Sequence, residues 1–169
     1  MDEKKSLTES ELFSIGSSLC ARSEHCSAEI CTRLLRGTDD KMLVARVIAR
    51  LCEEGFIDEE RYTRAFINDK LRFARWGRLK IRQELWRKQV PESIYGPLLD
   101  AIDESQYISV LRDLIKAKRK SLKGKNDFDV KMKLLRFCTS RGFEPKYIYP
   151  LLQLDDSDFE DFSDREEVF

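Results

Sequence analysis

The chain has a single histidine, His25, and its 7 glycines are scattered rather than grouped. No Gly-rich phosphate loop, nucleophile elbow or helical His-x-x-x-His pair can be written on it, which removes the common signatures of nucleotide, acyl-transfer and zinc-hydrolase chemistry. No catalytic residue, cofactor or resident metal is expected. The longest apolar runs fall far short of the roughly 18 residues that would suggest a membrane span, and the charged opening Met1-Asp2-Glu3-Lys4-Lys5 does not read as a secretion signal. The 5 cysteines form an odd, irregularly spaced set, so a reducing cytoplasm is the expected compartment rather than a disulfide framework. Cys20, His25, Cys26 and Cys31 are the one conceivable metal cluster, but their spacing is unlike the paired knuckles of structural zinc, and buried thiols are the competing reading.

Sustained two-residue alternation is also missing, and its absence argues against sheet. What the chain has instead is an internal repeat. Ile30, Leu34, Val44, Val47, Ile48, Leu51 and Phe56 recur 51 residues later as Ile81, Leu85, Tyr95, Leu98, Leu99, Ile102 and Tyr107. A further shift of 53 carries Ile81, Leu85, Tyr95, Leu98 and Leu99 onto Leu134, Cys138, Ile148, Leu151 and Leu152, which makes Cys138 a core residue. Within each copy the spacing is i, i+3, i+4, i+7, a helix face. Asp39, Asp58 and Asp127 are candidate N-caps, Pro91 and Pro145 suit first turns, and Gly37, Gly55 and Gly142 suit left-handed helix ends.

The expected fold is therefore all-α: three tandem three-helix repeats forming an elongated, curved rod, with collapse into one globule as the alternative. Helices are expected at about 9–22, 27–36, 40–54, 59–74, 77–88, 91–104, 107–122, 127–141 and 145–153. The corresponding organisation is an N-terminal extension at 1–9, repeats at 10–57, 58–106 and 107–154, and an acidic tail at 155–169. Asp155 stands where Ile102 stood one repeat earlier, so the last helix should be short, and Gln106 in place of Gly55 suggests that the second junction, like the loop at Gln89, is built differently.

A formal net charge of zero hides segregation. Ten Lys/Arg lie between Arg61 and Lys88 against Asp69 and Glu84, ten more between Arg112 and Arg136 against Asp113, Asp127 and Asp129, while Asp155–Phe169 holds eight acids against Arg165. At about 100° per residue Arg61, Arg64, Arg72 and Arg75 share a side away from Tyr62, Phe66 and Phe73, and Lys80 and Arg87 lie opposite Ile81 and Leu85. Arg112, Lys116, Arg119, Lys120 and Lys123 form a third stripe, continued by Lys125. Such faces are either ordinary solvated surface or a patch whose self-repulsion a polyanion or acidic partner relieves. The tail is either a solubilising end or a segment, with Phe159, Phe162 and Phe169, that folds back over the basic face.

The run Gly55-Phe56-Ile57-Asp58-Glu59-Glu60-Arg61-Tyr62, then Trp76-Gly77 and Ile81-Arg82-Gln83-Glu84-Leu85, with Arg141-Gly142-Phe143 later, resembles the RecX family of bacterial recombination regulators over about residues 10–154. The resemblance implies a monomeric, non-enzymatic protein that lies along the groove of the RecA–single-stranded DNA filament, restrains its growth, ATP hydrolysis and strand exchange, and binds DNA weakly. Arg72, Arg75, Arg78, Lys80, Arg82, Arg87 and Lys88, with Arg61 and Arg64, become candidate contacts, followed by Lys118, Arg119, Lys120, Lys123 and Lys125. Gly55, Phe56, Asp58, Tyr62, Trp76, Gly77, Ile81 and Leu85 become structural: Gly55 closes a helix, Asp58 caps the next, Phe56 and Tyr62 pack across the junction, and Gly77 permits a tight turn. Trp76 either packs inside or faces a partner. A stand-alone nucleic-acid-binding repeat protein is the alternative.

Overall fold

Thr8 opens the first helix with a reciprocal capping box. Its hydroxyl accepts the Glu11 N–H while the Glu11 carboxylate accepts the Thr8 N–H at 2.8 Å, so two otherwise unpaired donors are satisfied. The computed structural model describes residues 6–155, and among them every regular element is an α-helix. In order these are α1 Glu9–Cys20, α2 Ser27–Leu34, α3 Lys41–Glu53, α4 Glu59–Arg72, α5 Arg78–Arg87, α6 Glu92–Asp100, α7 Glu104–Arg119, α8 Asp127–Ser140 and α9 Pro145–Leu152. Eight fall inside the segments that the repeat placed in the sequence; α7 begins at Glu104 rather than at 107, capped by Asp103, whose carboxylate accepts the Gln106 N–H at 2.8 Å. The acidic segment beyond Asp155, with its phenylalanines, lies outside the described residues, as does Met1–Lys5.

The repeat positions are the core. Ile30, Leu34, Val44, Val47, Leu51, Ile81, Leu85, Tyr95, Leu99, Leu134, Cys138, Ile148 and Leu152 are all buried. Burial also pushes the Cys138 thiol up to about 12. Compactness divides the chain into two units: residues up to Asn68 with Gln83–Asp100, and Asp69–Arg82 with residues from Ala101 onward. Two of the three divisions fall within α4 and α5, and the third falls at the end of α6.

In the first unit α1 packs on α3 so closely that a Cβ on Gly16 would sit 2.6 Å from Leu51 Cδ1. Around that contact gather Leu12, Ile30, Leu34, Val44, Val47 and Ile57. A polar network fastens α2 to α4 and α5: Glu29 accepts from Lys88 Nζ at 2.5 Å, from the Tyr62 hydroxyl at 3.0 Å, and pairs with His25 Nδ1 at 2.9 Å. Burial works to raise the Glu29 pKa, but the hydrogen bonds from Lys88 and His25 outweigh it and hold the carboxyl below its ordinary range. The second unit packs α7, α8 and α9 together around Tyr107, Leu111, Leu134, Phe143 and Ile148.

Several local expectations need correction. Asp40, not Asp39, caps α3, accepting Leu43 N–H at 2.9 Å, and Asn126, not Asp127, caps α8. Asp58 does cap α4, through Arg61 N–H at 2.9 Å. Pro91 precedes α6 rather than lying in its first turn, whereas Pro145 occupies the first turn of α9. Gly55 and Gly142 are left-handed at φ 78° and 87°, but Gly37 is not; a Cβ there would strike Leu7 at 2.5 Å. Phe56 packs edge-on against Phe13 while Tyr62 stacks on Phe66, so the expected Phe56–Tyr62 pairing gives way to two separate ring pairs. Gln89 adopts φ 59° after α5, a left-handed turn made without glycine, and α9 ends after eight residues at left-handed Gln153.

Two outcomes follow for stability. Gly77→Ala should cost about 3 kcal/mol, because its Cβ would lie 2.2 Å from the Gly142 carbonyl oxygen with only backbone to yield, whereas Gly55→Ala, in open space, should cost about 1 kcal/mol of left-handed strain; urea denaturation measures both. Because the folded Glu29 carboxyl is held below its unfolded value of 4.5, its network contributes fully above that value and is lost as pH falls through the folded pKa. Unfolding free energy measured from about pH 6 to pH 3 should therefore fall less steeply in Glu29→Gln than in wild type.

Candidate functional site

Two glycines that are 65 positions apart in sequence set the backbone of the site. Gly77 N–H donates to the Arg141 carbonyl at 2.8 Å and Leu79 N–H to the Gly142 carbonyl at 3.1 Å, so the start of α5 rests on the turn between α8 and α9. Conversely, a Cβ on Gly142 would lie 2.3 Å from the Lys80 nitrogen. Gly77 therefore serves a backbone–backbone approach, and the Trp76-Gly77 and Arg141-Gly142-Phe143 motifs are halves of one joint. Arg141 completes it by donating to the Ala74 carbonyl at 3.1 Å.

This joint takes Arg78 out of the expected contact set. Its guanidinium lies 4.0 Å over the Tyr107 ring, donates to the Ile102 carbonyl at 3.3 Å and faces Glu144 at 3.6 Å, with its side chain 14% exposed. The Tyr107 hydroxyl accepts Arg78 N–H at 2.9 Å and donates to Glu144 at 2.5 Å. Burial, then that bond to Glu144, pushes the phenol well above its ordinary range, so it stays a neutral donor. Trp76 is half-buried and neither wholly core nor presented: Lys70 and Lys80 approach its ring at 4.8 and 4.6 Å. Lys80 is thus placed by the ring, and Lys70, which sequence reasoning missed because nothing in its own neighbourhood marks it, shares that role.

The cations expected from α4 and α5 divide sharply. Arg61 pairs with Glu24 at 2.6 Å and caps the Gly55 carbonyl at 3.2 Å, Arg64 pairs with Glu60 at 2.6 Å, Arg87 with Glu84 at 2.5 Å, and Lys88 is the partner of Glu29. Arg72 Nε lies 3.1 Å from the Gln106 side-chain amide, which accepts from it when its oxygen is turned toward the guanidinium. Arg82 is half-buried. Arg75 does not join the stripe of Arg61, Arg64 and Arg72, since α4 ends at Arg72 and Arg75 has φ 52°. The same unwinding leaves Phe73 81% exposed, where continued helix would have turned it inward.

The α7 stripe survives. Tyr107, Leu111, Leu114 and Ile115 face the core, and Arg112, Lys116, Arg119 and Lys120 are exposed on the far side with no ion-pair partner among the described residues. Lys118 belongs to the inner face, 4.8 Å over Phe137. Beyond the helix, exposed Lys123 and Lys125 sit on a pinned loop: Lys125 N–H donates to Asp129 at 3.0 Å, and Lys133 bonds both Asp129 and the Lys123 carbonyl. The Lys125 N–H, then Lys133, hold the Asp129 carboxyl below its usual range. Part of this clustering is structural, since cations at a helix C-terminus complement its dipole. Arg112 is two turns inside α7, beyond the reach of that effect, and with Lys116 it was readable in the sequence stripe although neither stood among the candidate contacts.

Nothing else gathers chemistry. No group of three or more potential metal ligands occurs among the described residues, and Cys26 of the Cys20, His25, Cys26, Cys31 set is fully buried, its thiol pointing to the Lys88 carbonyl at 3.9 Å. An open groove between α7 and α9 is lined by Glu104, Ile108, Lys146, Tyr147, Pro150 and Leu151, and the Tyr147 hydroxyl donates to Glu104 at 3.4 Å. No helix of the described residues is long and apolar enough to cross a membrane. The contrast between buried and exposed cations has a direct consequence: Arg78→Ala should lose about 2–4 kcal/mol in urea denaturation by stranding Glu144, while Arg112→Ala should leave the midpoint unchanged.

A family model described as RecX, second three-helix domain, matches residues 58–95, from the Asp58 cap through α5 into α6. The regulatory protein RecX of Chlorobium limicola is 32% identical over 71% of this chain and 74% of its own. That of Pelodictyon phaeoclathratiforme is 31% identical over 77% and 79%. The crystal structure of RecX from Lactobacillus salivarius superposes with a TM-score of 0.74 at 15% identity, covering 86% of this chain and 94% of that one, which speaks to the fold. Helix order, the joined glycine motifs and these identities lead to one conclusion: this chain belongs to the RecX family of regulatory proteins.

Proposed function

We propose that this chain binds the filament that a RecA-type recombinase forms on single-stranded DNA and restrains its growth, ATP hydrolysis and strand exchange. The observation that carries the reading is the α7 stripe, where Arg112, Lys116, Arg119 and Lys120 present charge that no acid of the described residues neutralises. Lys123 and Lys125 extend it. A row of exposed cations attracts a phosphate backbone or an acidic protein surface, and each phosphate it neutralises releases counterions. Membership of a regulatory family turns this general affinity toward the recombinase. On this reading the paired cations Arg61, Arg64, Arg87 and Lys88 and the largely buried Arg78 hold the scaffold.

Titrating the full chain into the cognate recombinase hydrolysing ATP on single-stranded DNA should lower the rate. Joint reversal of Arg112, Lys116 and Lys120 to glutamate should raise the half-inhibitory concentration about tenfold or more while thermal unfolding stays in place. Inhibition that survives the triple reversal would remove α7 as the contact. No inhibition by wild type, together with steeply salt-dependent binding to naked DNA, would instead favour a stand-alone nucleic-acid binder.

A further inference from the structure

We propose that the loop after α4 is a contact for single-stranded nucleic acid, in which the exposed Phe73 ring stacks on an unpaired base while Arg72 and Arg75 take neighbouring phosphates. This goes beyond the filament reading, since it calls on neither the α7 stripe nor the recombinase. The first observation is in the sequence. Residues 70–82 hold Lys70, Arg72, Arg75, Arg78, Lys80 and Arg82, no acid, and the rings of Phe73 and Trp76 among them. Cations interleaved with aromatics suit a strand that offers phosphates and bases side by side.

The second observation is that the ring is displayed by built structure rather than by fraying. Phe73 N–H donates to the Asp69 carbonyl at 2.9 Å, Trp76 N–H to the Lys70 carbonyl at 2.9 Å, and Arg141 to the Ala74 carbonyl at 3.1 Å, so the loop is tied at three points. Phe73 is nonetheless the most open large apolar side chain of the described residues and meets no other aromatic ring among them. The third is Arg75, whose φ of 52° puts a residue with a Cβ in the left-handed region, a strain that clusters where ligands are held. Half-buried Arg75 has no ion-pair partner among the described residues, exposed Arg72 has only a neutral amide beside it, and Asp69 at the head of the loop pairs with neither. Trp76 already carries Lys70 and Lys80 at its ring, and Arg78 is committed to Tyr107 and Glu144. Phe73 is therefore the ring, and Arg72 and Arg75 the cations, left to a ligand.

An aromatic anchor for a protein partner is ordinarily set in a patch depleted of charge, whereas every charged residue from 70 to 82 is a cation. The open face of the phenyl ring matches the π-face that any unpaired base presents, and bases inside a duplex are closed to it by their own stacking. The expected ligand is thus single-stranded and of no particular sequence.

The test uses the full chain with a fluorescently labelled oligothymidylate of about 12 nucleotides at low salt, against an abasic strand of equal length that offers the same phosphates without bases. Wild type should bind the thymidine strand about fivefold to a hundredfold more tightly than the abasic one, the range that one stacked base supplies. Phe73→Ala should bring the two affinities together by weakening the thymidine strand alone, with the salt dependence on the abasic strand unchanged. Phe73→Trp should restore the gap, its added tryptophan emission quenched by the thymidine strand and not by the abasic one. All three chains should unfold at the same temperature, because the side chain is open to solvent. Equal affinity of wild type for both strands, binding of neither, or a gap that survives Phe73→Ala would overturn the proposal. So would unchanged strand binding by Phe73→Ala together with lost restraint of the recombinase, which would assign the ring to a protein pocket. Reversing the α7 cations touches phosphate contacts only and leaves the ratio of the two affinities as it was, so that reading and this one fail separately.

Discussion

The approach of Gly77 to Gly142 is the constraint on which the second unit depends. Two backbones meet with no room for a Cβ on either side, and the hydrogen bonds from Gly77 and Leu79 to the Arg141 and Gly142 carbonyls satisfy the start of α5 with the end of α8. Once α5 is seated, Arg78 has one place to go, between Tyr107 and Glu144, and that placement in turn fixes the first turn of α7 against α9. Lys80 is delivered to the Trp76 ring by the same seating. A small residue in two loops thereby determines the register of four helices. That is why the signature spends a glycine on each loop.

The cations sort by what lies within reach rather than by helix face. On α4 and α5 each exposed arginine of the first unit has a carboxylate three or four positions away or across the fold, and exposed pairs of that kind add little stability but cancel most of the local field. On α7 Asp113 follows Arg112 and stands three positions before Lys116, yet it pairs with neither, so Arg112, Lys116, Arg119 and Lys120 have no ion-pair partner among the described residues, and Glu104 in the first turn accepts from Tyr147. The repulsion among them is tolerable because each is solvated and because the screening length near physiological salt is about 8 Å, comparable to their spacing. What remains is a field that an incoming anion can use.

Most of the fold was legible because burial follows the repeat. Ile81 and Leu85 were placed in the core by their counterparts Ile30 and Leu34, and the shortness of α9 followed from Asp155 alone. The sites were less legible, for a physical reason. A helical projection assumes that the helix continues, so it carried Arg75 and Phe73 past the end of α4 at Arg72, where the chain unwinds toward Gly77. It likewise treats every arginine as solvated, and so could not show that Arg78 is buried over Tyr107, a partner 29 positions away. Long-range pairs such as Lys88 with Glu29, and Gly77 with Gly142, leave no periodic trace. The α7 stripe was readable because its helix runs unbroken through Arg119 and its charge balance is local.

Recognition through such a stripe differs from recognition in a pocket. Charge alone does not distinguish one polyanion from another, so selectivity has to come from geometry that the scaffold holds fixed. Arg112, Lys116 and Lys120 succeed one another at i, i+4, i+8, a step of about 6 Å along a helix that is anchored by Leu111, Leu114 and Ile115 and cannot adjust its pitch. The loop lysines are held to the same frame through Asp129, whose carboxylate ties Lys125 N–H and Lys133 together. A ligand with charges at a matching interval engages several members at once and gains from each, whereas a mismatched one engages few. The rigid core of the second unit, through the tyrosine–arginine–glutamate cluster that holds the start of α7 in place, is therefore what would turn a general attraction for anions into a preference for a regularly spaced one.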